Sequence, residues 1–421
     1  MDDNCNVICV GNYVIIRRTY EKESCRLFKA EMDKPVYLGK QKIFLNSIFG
    51  QKFGSTFEVN KDRHLELVNV QKLREKSAVL PLVSSETDDK KDNRFVLDDG
   101  KSQKLSRDDI EVLKSNASSD QIIENLVKNC STFEQKTSFA QQKYLKKKQK
   151  KYSNLMTILR PNVRLLTEMY FSRGPQKIDF LRIDSLSQML SICNVMSGRK
   201  YIVLDTNLGI LTAAIIERLG CTGSVVQIYT EVGPVSTYRQ AVDALNLPND
   251  IINNMLFGLQ INEIYNLSQN LNYEISCSTD VSNNILSETT KMSSESDISV
   301  SENNRNMRRA VRRIEAQKAI EILRPKDMDG LLYLSKTYDP LNILLILIDL
   351  LSDSRPFAVF SAYVEPLAHC YSALKKKAVF LKITETWLRN YQVLPDRTRP
   401  HMTMSANSGY LLTGIKVDNN S

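Results

Sequence analysis

KYIVLDTNLGILTAAIIERLG, Lys200 to Gly220, places this chain in the α/β class. An apolar strand, Tyr201–Leu204, runs into Asp205; a short loop follows, and an apolar helical stretch closes at Gly220. Strand, turn and helix in this order open a βα unit of a parallel sheet, at the turn where nucleotides are held. Such turns carry glycines for mechanical reasons. One permits a positive φ, one lets a ligand touch bare backbone, and one packs helix on strand. Here there is one, Gly209.

Outward from this unit the alternation continues. Strands are predicted at Tyr201–Asp205, Ser224–Tyr229, Gly330–Leu334, Pro356–Ala362, Val379–Thr384 and Tyr410–Val417, with helices at Pro340–Leu351 and Glu365–Lys376. This pattern predicts an open, doubly wound sheet with helices on both faces, and the late strands predict an antiparallel edge. From Val7 to about Asn69, NYVIIRR, SCRLFKA, PVYLGKQKIFL and STFEVN predict short strands of a small barrel or sandwich over residues 1–76. Residues 77–131 read as a polar linker carrying two short helices, Arg107–Ser115 and Ser119–Asn129. A longer helix is predicted over Glu134–Leu159, with Pro161 opening another, and the sheet domain is drawn over 132–421. Ser276–Asn304 is serine-dense without apolar periodicity and reads as a disordered insertion. Helix then resumes with Arg305, Arg308, Arg309, Arg312 and Arg313.

The chain's 421 residues fit about two to three domains. A net charge of +9 and a pI near 9.0 favour a polyanionic partner. Eight scattered cysteines without a CxxC pair, and only three histidines, argue against zinc sites and secreted disulfide scaffolds. The acidic start MDD argues against a secretory leader, and the longest apolar run, Leu341–Leu351, is too short to span a bilayer. No membrane association is expected.

Three features bear on whether the Gly209 loop can hold a cofactor. In the frame methyltransferases of this architecture use, Asp205 takes the acidic position, and the alternate glycine positions hold Asn207, Gly209 and Leu211. Asparagine tolerates a left-handed backbone, whereas leucine brings a large side chain. The next strand ends in Tyr229, and the first acid able to meet a ribose is Glu231. After the fourth strand, Ser335 and Lys336 stand where an acid or amide beside proline would steer a target nitrogen, and Asp339 comes only later. GxGxxG, P-loop, HExxH and GxSxG motifs are absent, and His64, His369 and His401 are isolated.

The cationic signal is denser. In KYLKKKQKKY, Lys143, Lys147 and Lys151 stand four apart on one helical face, flanked by Lys146, Lys148 and Lys150, with Arg160 and Arg164 beyond. Close ammonium groups repel, so such a face suits a phosphate backbone; its alternatives are a solvated face or a nuclear-import signal. Arg173 and Lys177 flank a Gly-Pro pair, and Arg389, Arg397 and Arg399 fall in WLRNYQVLPDRTRP. Trp387 is expected to pack; Tyr391 could stack on a base or be buried.

TSFAQQKYLKKKQKKY, ILRPNVRLL, SRGPQKIDFLRIDSLSQML, SRPFAVFSAYVEPLAHCYSALK and TETWLRNYQVLPDRTRPHMTMSANSGYLLTG together resemble the family of non-catalytic subunits of the tRNA (adenine-58-N1) methyltransferase. The similarity spans nearly the whole chain outside the linker and the serine-rich insertion. It implies a small β-barrel-like domain followed by a degenerate Rossmann-like class I methyltransferase domain. It further implies that a related catalytic subunit carries S-adenosylmethionine, that two subunits of each kind form a nuclear heterotetramer, and that this chain binds no cofactor and helps grip tRNA. Lys143, Lys146, Lys147, Lys148, Lys150, Lys151, Arg160, Arg164, Arg173, Lys177, Arg389, Arg397 and Arg399 are the candidate RNA contacts. Two rivals remain at this level. One is an active S-adenosylmethionine-dependent RNA methyltransferase with an atypical loop, using Asp205, Gly209 and Glu231; the other is a general RNA-binding module.

Overall fold

The structure is a computed structural model; it describes residues 6–20, 24–39, 41–60, 62–69, 102–117, 119–230, 238–270, 273–274, 297–335, 339–393, 398–404 and 407–418. The chain divides into two compact units, Met1–Pro161 and Asn162–Ser421.

The first unit holds β1 (Tyr13–Arg18), β2 (Cys25–Lys29), β3 (Pro35–Leu38), β4 (Gln41–Phe44), β5 (Thr56–Val59) and β6 (Leu65–Leu67). Helices α1 (Arg107–Asn116), α2 (Ser119–Lys128) and α3 (Ser138–Tyr152) follow, then β7 (Leu155–Leu159). Five strands form an antiparallel sheet in the order β2-β1-β7-β5-β6, and β3 and β4 make a separate hairpin. Successive strand side chains point to opposite faces. Val14 and Ile16 of β1, and Met156 and Ile158 of β7, therefore meet Phe57 in one core. Ser106 and Asp109 close a reciprocal capping box at the start of α1.

This unit corrects the reading of residues 134–159. The helix ends at Tyr152, and Leu155–Leu159 is the central strand, pairing antiparallel with both β1 and β5. Tyr152, Leu155, Met156 and Leu159 do recur at helical spacing. A run of five with four apolar residues and Thr157, however, fits a buried strand equally well, and two waiting strand edges settle the choice. The boundary drawn at 132 accordingly lies inside the first unit. Residues 70–101, most of the expected linker, lie outside the described residues.

The second unit begins with α4 (Val163–Arg173) and α5 (Ile183–Ile192), then β8 (Lys200–Asp205), α6 (Ile210–Leu219) and β9 (Ser224–Tyr229). Next come α7 (Gln240–Ala244), α8 (Asn249–Met255), β10 (Leu256–Gln260), α9 (Ile261–Gln269) and α10 (Asp297–Leu323). The rest comprises β11 (Gly330–Leu334), α11 (Pro340–Ile348), β12 (Pro356–Ser361), α12 (Val364–Leu374), β13 (Ala378–Glu385), the short pair β14 (Tyr391–Gln392) and β15 (Arg399–Pro400), and β16 (Tyr410–Lys416). Seven strands form one sheet in the order β10-β9-β8-β11-β12-β16-β13. β16 runs antiparallel to both neighbours, while the pairs from β10 to β12 are parallel. The antiparallel strand is therefore inserted one place inside the edge, which β13 forms. Gly409 allows that insertion: its φ is +66°, and a Cβ there would sit 2.3 Å from the Phe360 ring.

All of β11, and Tyr201–Asp205 of β8, are buried, as expected where helices cover both faces of a parallel sheet. Strand order reverses between β8 and β11, so the ends of these strands flank the cleft where this architecture holds ligands. β10 and helices α7–α9 were not anticipated. Conversely, 297–304, placed in the disordered insertion, are the first turns of α10; residues 275–296 lie outside the described residues.

Candidate functional site

Asp205 ends β8, and its side chain is wholly buried. One carboxylate oxygen accepts from the backbone N–H groups of Leu211 (3.0 Å) and Thr212 (3.1 Å) and from the Thr212 hydroxyl (3.3 Å); the other accepts from Asn207 N–H (3.1 Å). Asp205 thus serves the first turn of α6, satisfying donors a helix start leaves unpaired. Burial pushes its carboxyl up to about 6, and the backbone donors act in the opposite direction.

Gly209 begins α6 with φ +76°. A Cβ there would meet the Tyr238 carbonyl oxygen at 2.2 Å and the Arg239 Cα at 3.5 Å. Gly209 itself is buried, and the side of it where a Cβ would stand is filled by the chain's own backbone. That cover is fixed from several sides. Ala241 N–H donates to Leu208 O (2.9 Å), and Gln227 Nε2 donates to Tyr238 O (3.0 Å). The Tyr238 hydroxyl bonds Thr230 (2.9 Å), and Arg239 pairs with Glu315 of α10. Leu211, at the third glycine position, is fully buried. Asn207, at the first, donates from Nδ2 to Asp179 Oδ2 at 2.8 Å. Glu231 and Lys336 lie outside the described residues. Nothing in the sequence marked Tyr238 or Arg239, because covering a loop with backbone needs no particular residue type.

Beside this loop, where β11 and β12 end and α11 and α12 begin, lies a cavity of about 370 Å³. Ser335, Asp179, Phe180, Asp339, Tyr363 and Glu365 are among its lining residues. Thr206 Oγ1 donates to Ser335 Oγ (3.1 Å), tying the cavity to the β8 loop. Asp179 and Phe180 both adopt left-handed backbone, with φ of 49° and 61°, and the Asn207 bond holds the first of them. The sequence offered no sign of this pair.

The predicted cations separate into groups. On α3, Lys143, Lys146, Lys147, Lys150 and Lys151 are exposed, opposite a buried face of Gln141, Leu145, Gln149 and Tyr152. Lys148 is half-buried, 4.9 Å from the Tyr144 ring centre and 6.0 Å from that of Tyr152. Burial, helped by Lys151 and Lys147, pulls its ammonium below the usual lysine range. Among the described residues no carboxylate pairs with Lys143, Lys146 or Lys147. Arg160 is exposed in the same unit. Arg164, in the second unit, pairs with Glu168 one turn on (3.0 Å), and Arg173 and Lys177 are exposed around Gly174-Pro175.

Arg389 and Arg399 are exposed near the β14–β15 pair; Arg397 lies outside the described residues. Trp387, expected to pack, is 76% exposed, with the Arg389 guanidinium 6.0 Å from its ring. Leu388, Tyr391, Val393 and Met402 are also exposed in this segment. Buried Arg182 anchors its base, gripping Asp184 with two bonds (2.7 and 2.8 Å) and donating to Thr386 O (3.1 Å). An aromatic motif so close to the last strands reads as core; only the fold puts it beyond the sheet edge.

Strand order, the acid ending β8 and the glycine opening α6 define a methyltransferase-like α/β fold whose cofactor loop is covered by its own chain. A solved S-adenosylmethionine-dependent O-methyltransferase from Thermotoga maritima shares the fold, with a TM-score of 0.54 at 12% identity over 100% of this chain and 98% of that one. The profile of the Gcd10p family matches residues 7–306, and the chain belongs to that family. Among curated relatives, the tRNA (adenine(58)-N(1))-methyltransferase non-catalytic subunit TRM6 of Mus musculus is 35% identical over 467 aligned positions, covering 100% of this chain and 90% of that protein. The corresponding trm6 of Dictyostelium discoideum is 31% identical over 98% of this chain and 80% of its own. The family is thus one of non-catalytic subunits, as the sequence resemblance implies.

Proposed function

We propose that this chain is the tRNA-gripping, non-catalytic half of a tRNA (adenine-58-N1) methyltransferase, holding the substrate while a related subunit supplies S-adenosylmethionine and the reaction. The observation that carries the tRNA role is the exposed lysine face of α3. Among the described residues, repulsion between those ammonium groups has no carboxylate relief at Lys143, Lys146 and Lys147, whereas phosphates would supply it and release counterions. Arg160, Arg173 and Lys177 are further exposed cations able to meet backbone phosphates, and the exposed Arg389 and Arg399 suit tRNA contact and subunit contact equally. The covered Gly209 loop supports leaving chemistry to the partner. The exposed group around Trp387 has the aromatic and arginine character of an interface anchor and supports an obligate partner. The assembly is taken to contain two subunits of each kind and to work in the nucleus.

The test is the triple substitution Lys147→Glu, Lys150→Glu, Lys151→Glu in the co-expressed complex. Weakened tRNA binding with assembly intact is the expected result. Unchanged affinity and unchanged salt dependence would remove the lysine helix from the RNA contact.

A further inference from the structure

We propose that the cavity at the ends of β11 and β12 binds an unpaired, amino-bearing nucleobase, adenine or cytosine, presented by RNA without its phosphate entering. Its volume, about 370 Å³, lies in the range of small-ligand pockets and is large enough for a nucleoside. Phe180 and Tyr363 are aromatic residues of its wall, Tyr363 being largely exposed, and every base has a face that stacks on aromatic rings.

The polar groups decide the ligand's charge. Among the described lining residues the carboxylates are Asp179, Asp339 and Glu365. Asp339 caps the start of α11, accepting from Leu341 N–H at 3.4 Å, and Glu365 sits in the first turn of α12. Helix starts attract anions, and here Asp339 caps one while Glu365 stands in the first turn of the other. Among the described lining residues three carboxylates stand against the imidazole of His369, so the balance disfavours a phosphate or the carboxylate of an amino acid, while an exocyclic amine finds acceptors. Uracil, with two carbonyls and no amine, fits the same rings and meets the wrong polar groups.

One wall is held at a conformational cost. Phe180, a bulky residue, keeps a left-handed backbone next to left-handed Asp179, and such outliers persist where surrounding structure over-determines them. Asn207 supplies part of that constraint through its bond to Asp179. The position a cofactor loop would give to glycine has become a positioning residue for the cavity.

The inference rests on the reading that this chain meets RNA, yet its test uses free nucleosides and is independent of tRNA affinity. Saturation-transfer NMR on the full chain should show adenosine and cytidine binding with dissociation constants on the order of 0.1–1 mM. Uridine and adenosine monophosphate should bind at least fivefold more weakly. Glu365→Gln, on the exposed rim, should weaken adenosine about threefold or more; Ala362 also lines the cavity, and Ala362→Phe should abolish binding by filling the space. A short single-stranded RNA carrying one adenosine should lose its contact with Tyr363 when that position is made abasic, separating a base on RNA from a free nucleoside. Equal binding of uridine, tighter binding of the monophosphate, or indifference to Glu365→Gln would overturn the assignment. Weak tRNA binding with intact nucleoside selectivity would instead count against the tRNA role alone.

Discussion

Gly209 and Gly198 form a matched pair for testing whether the cofactor loop is covered. Both have positive φ, +76° and +80°, but an added Cβ at Gly209 meets Tyr238 O at 2.2 Å, whereas at Gly198 nothing lies within 4 Å. Alanine at Gly198 pays only the backbone cost of a left-handed L-residue, roughly 1–2 kcal/mol. Alanine at Gly209 adds a backbone clash that side-chain motion cannot relieve, and overpacking of this kind costs about 1–3 kcal/mol more. Gly209→Ala should therefore destabilise by roughly 2–5 kcal/mol in total. Urea unfolding followed by circular dichroism measures both variants, and the difference between them isolates the steric part. S-adenosylmethionine added to the wild-type chain by itself should leave the midpoint unchanged, because only a ligand that binds the folded state raises it. Equal losses for the two alanines, or a donor-dependent rise in midpoint, would refute a loop filled by its own backbone.

Three further outcomes are expected. The lysine-to-glutamate triple on α3 removes three phosphate-neutralising charges, so the slope of log K against log salt should flatten by about 2–3, from roughly 0.7–0.9 per contact; filter binding across a salt series reads it. Burial raises the Asp205 carboxyl from the ordinary carboxylate range to about 6, so its contribution to stability is fully present below the unfolded value and is lost as pH rises through about 6. Between pH 7 and pH 5 the wild type should thus gain about 1 kcal/mol relative to Asp205→Asn, and paired urea titrations that show no such difference would contradict it. Trp387→Ser should change the chain's own stability by no more than about 0.5 kcal/mol yet weaken assembly with the catalytic partner by about 2 kcal/mol or more; sedimentation and thermal unfolding separate the two effects.

The βα alternation around Lys200–Gly220 was legible because it depends on local periodicity. Buried parallel strands are near-continuous apolar runs, and Gly220 stops a helix wherever the fold puts it. The mismatch of Asn207 and Leu211 with a cofactor loop was equally local. Strand β7 was not legible. Residues 155–159 suit helix or strand, and the edges of β1 and β5, contributed from far away in sequence, made the selection. The cover over Gly209 was invisible for a stronger reason, since it is built from the backbone of Tyr238 and Arg239 and leaves no side-chain signature. Burial misled at Trp387, where an aromatic residue reads as core unless one knows that it follows the end of β13, the strand at the sheet's edge. By itself, then, the sequence determined the class of sheet, the cationic helix and the lost glycines, all properties of neighbouring residues. Tertiary structure alone decided which strand completes each sheet, what occupies the cofactor loop and which apolar groups remain outside, because each of these depends on segments brought together across the chain.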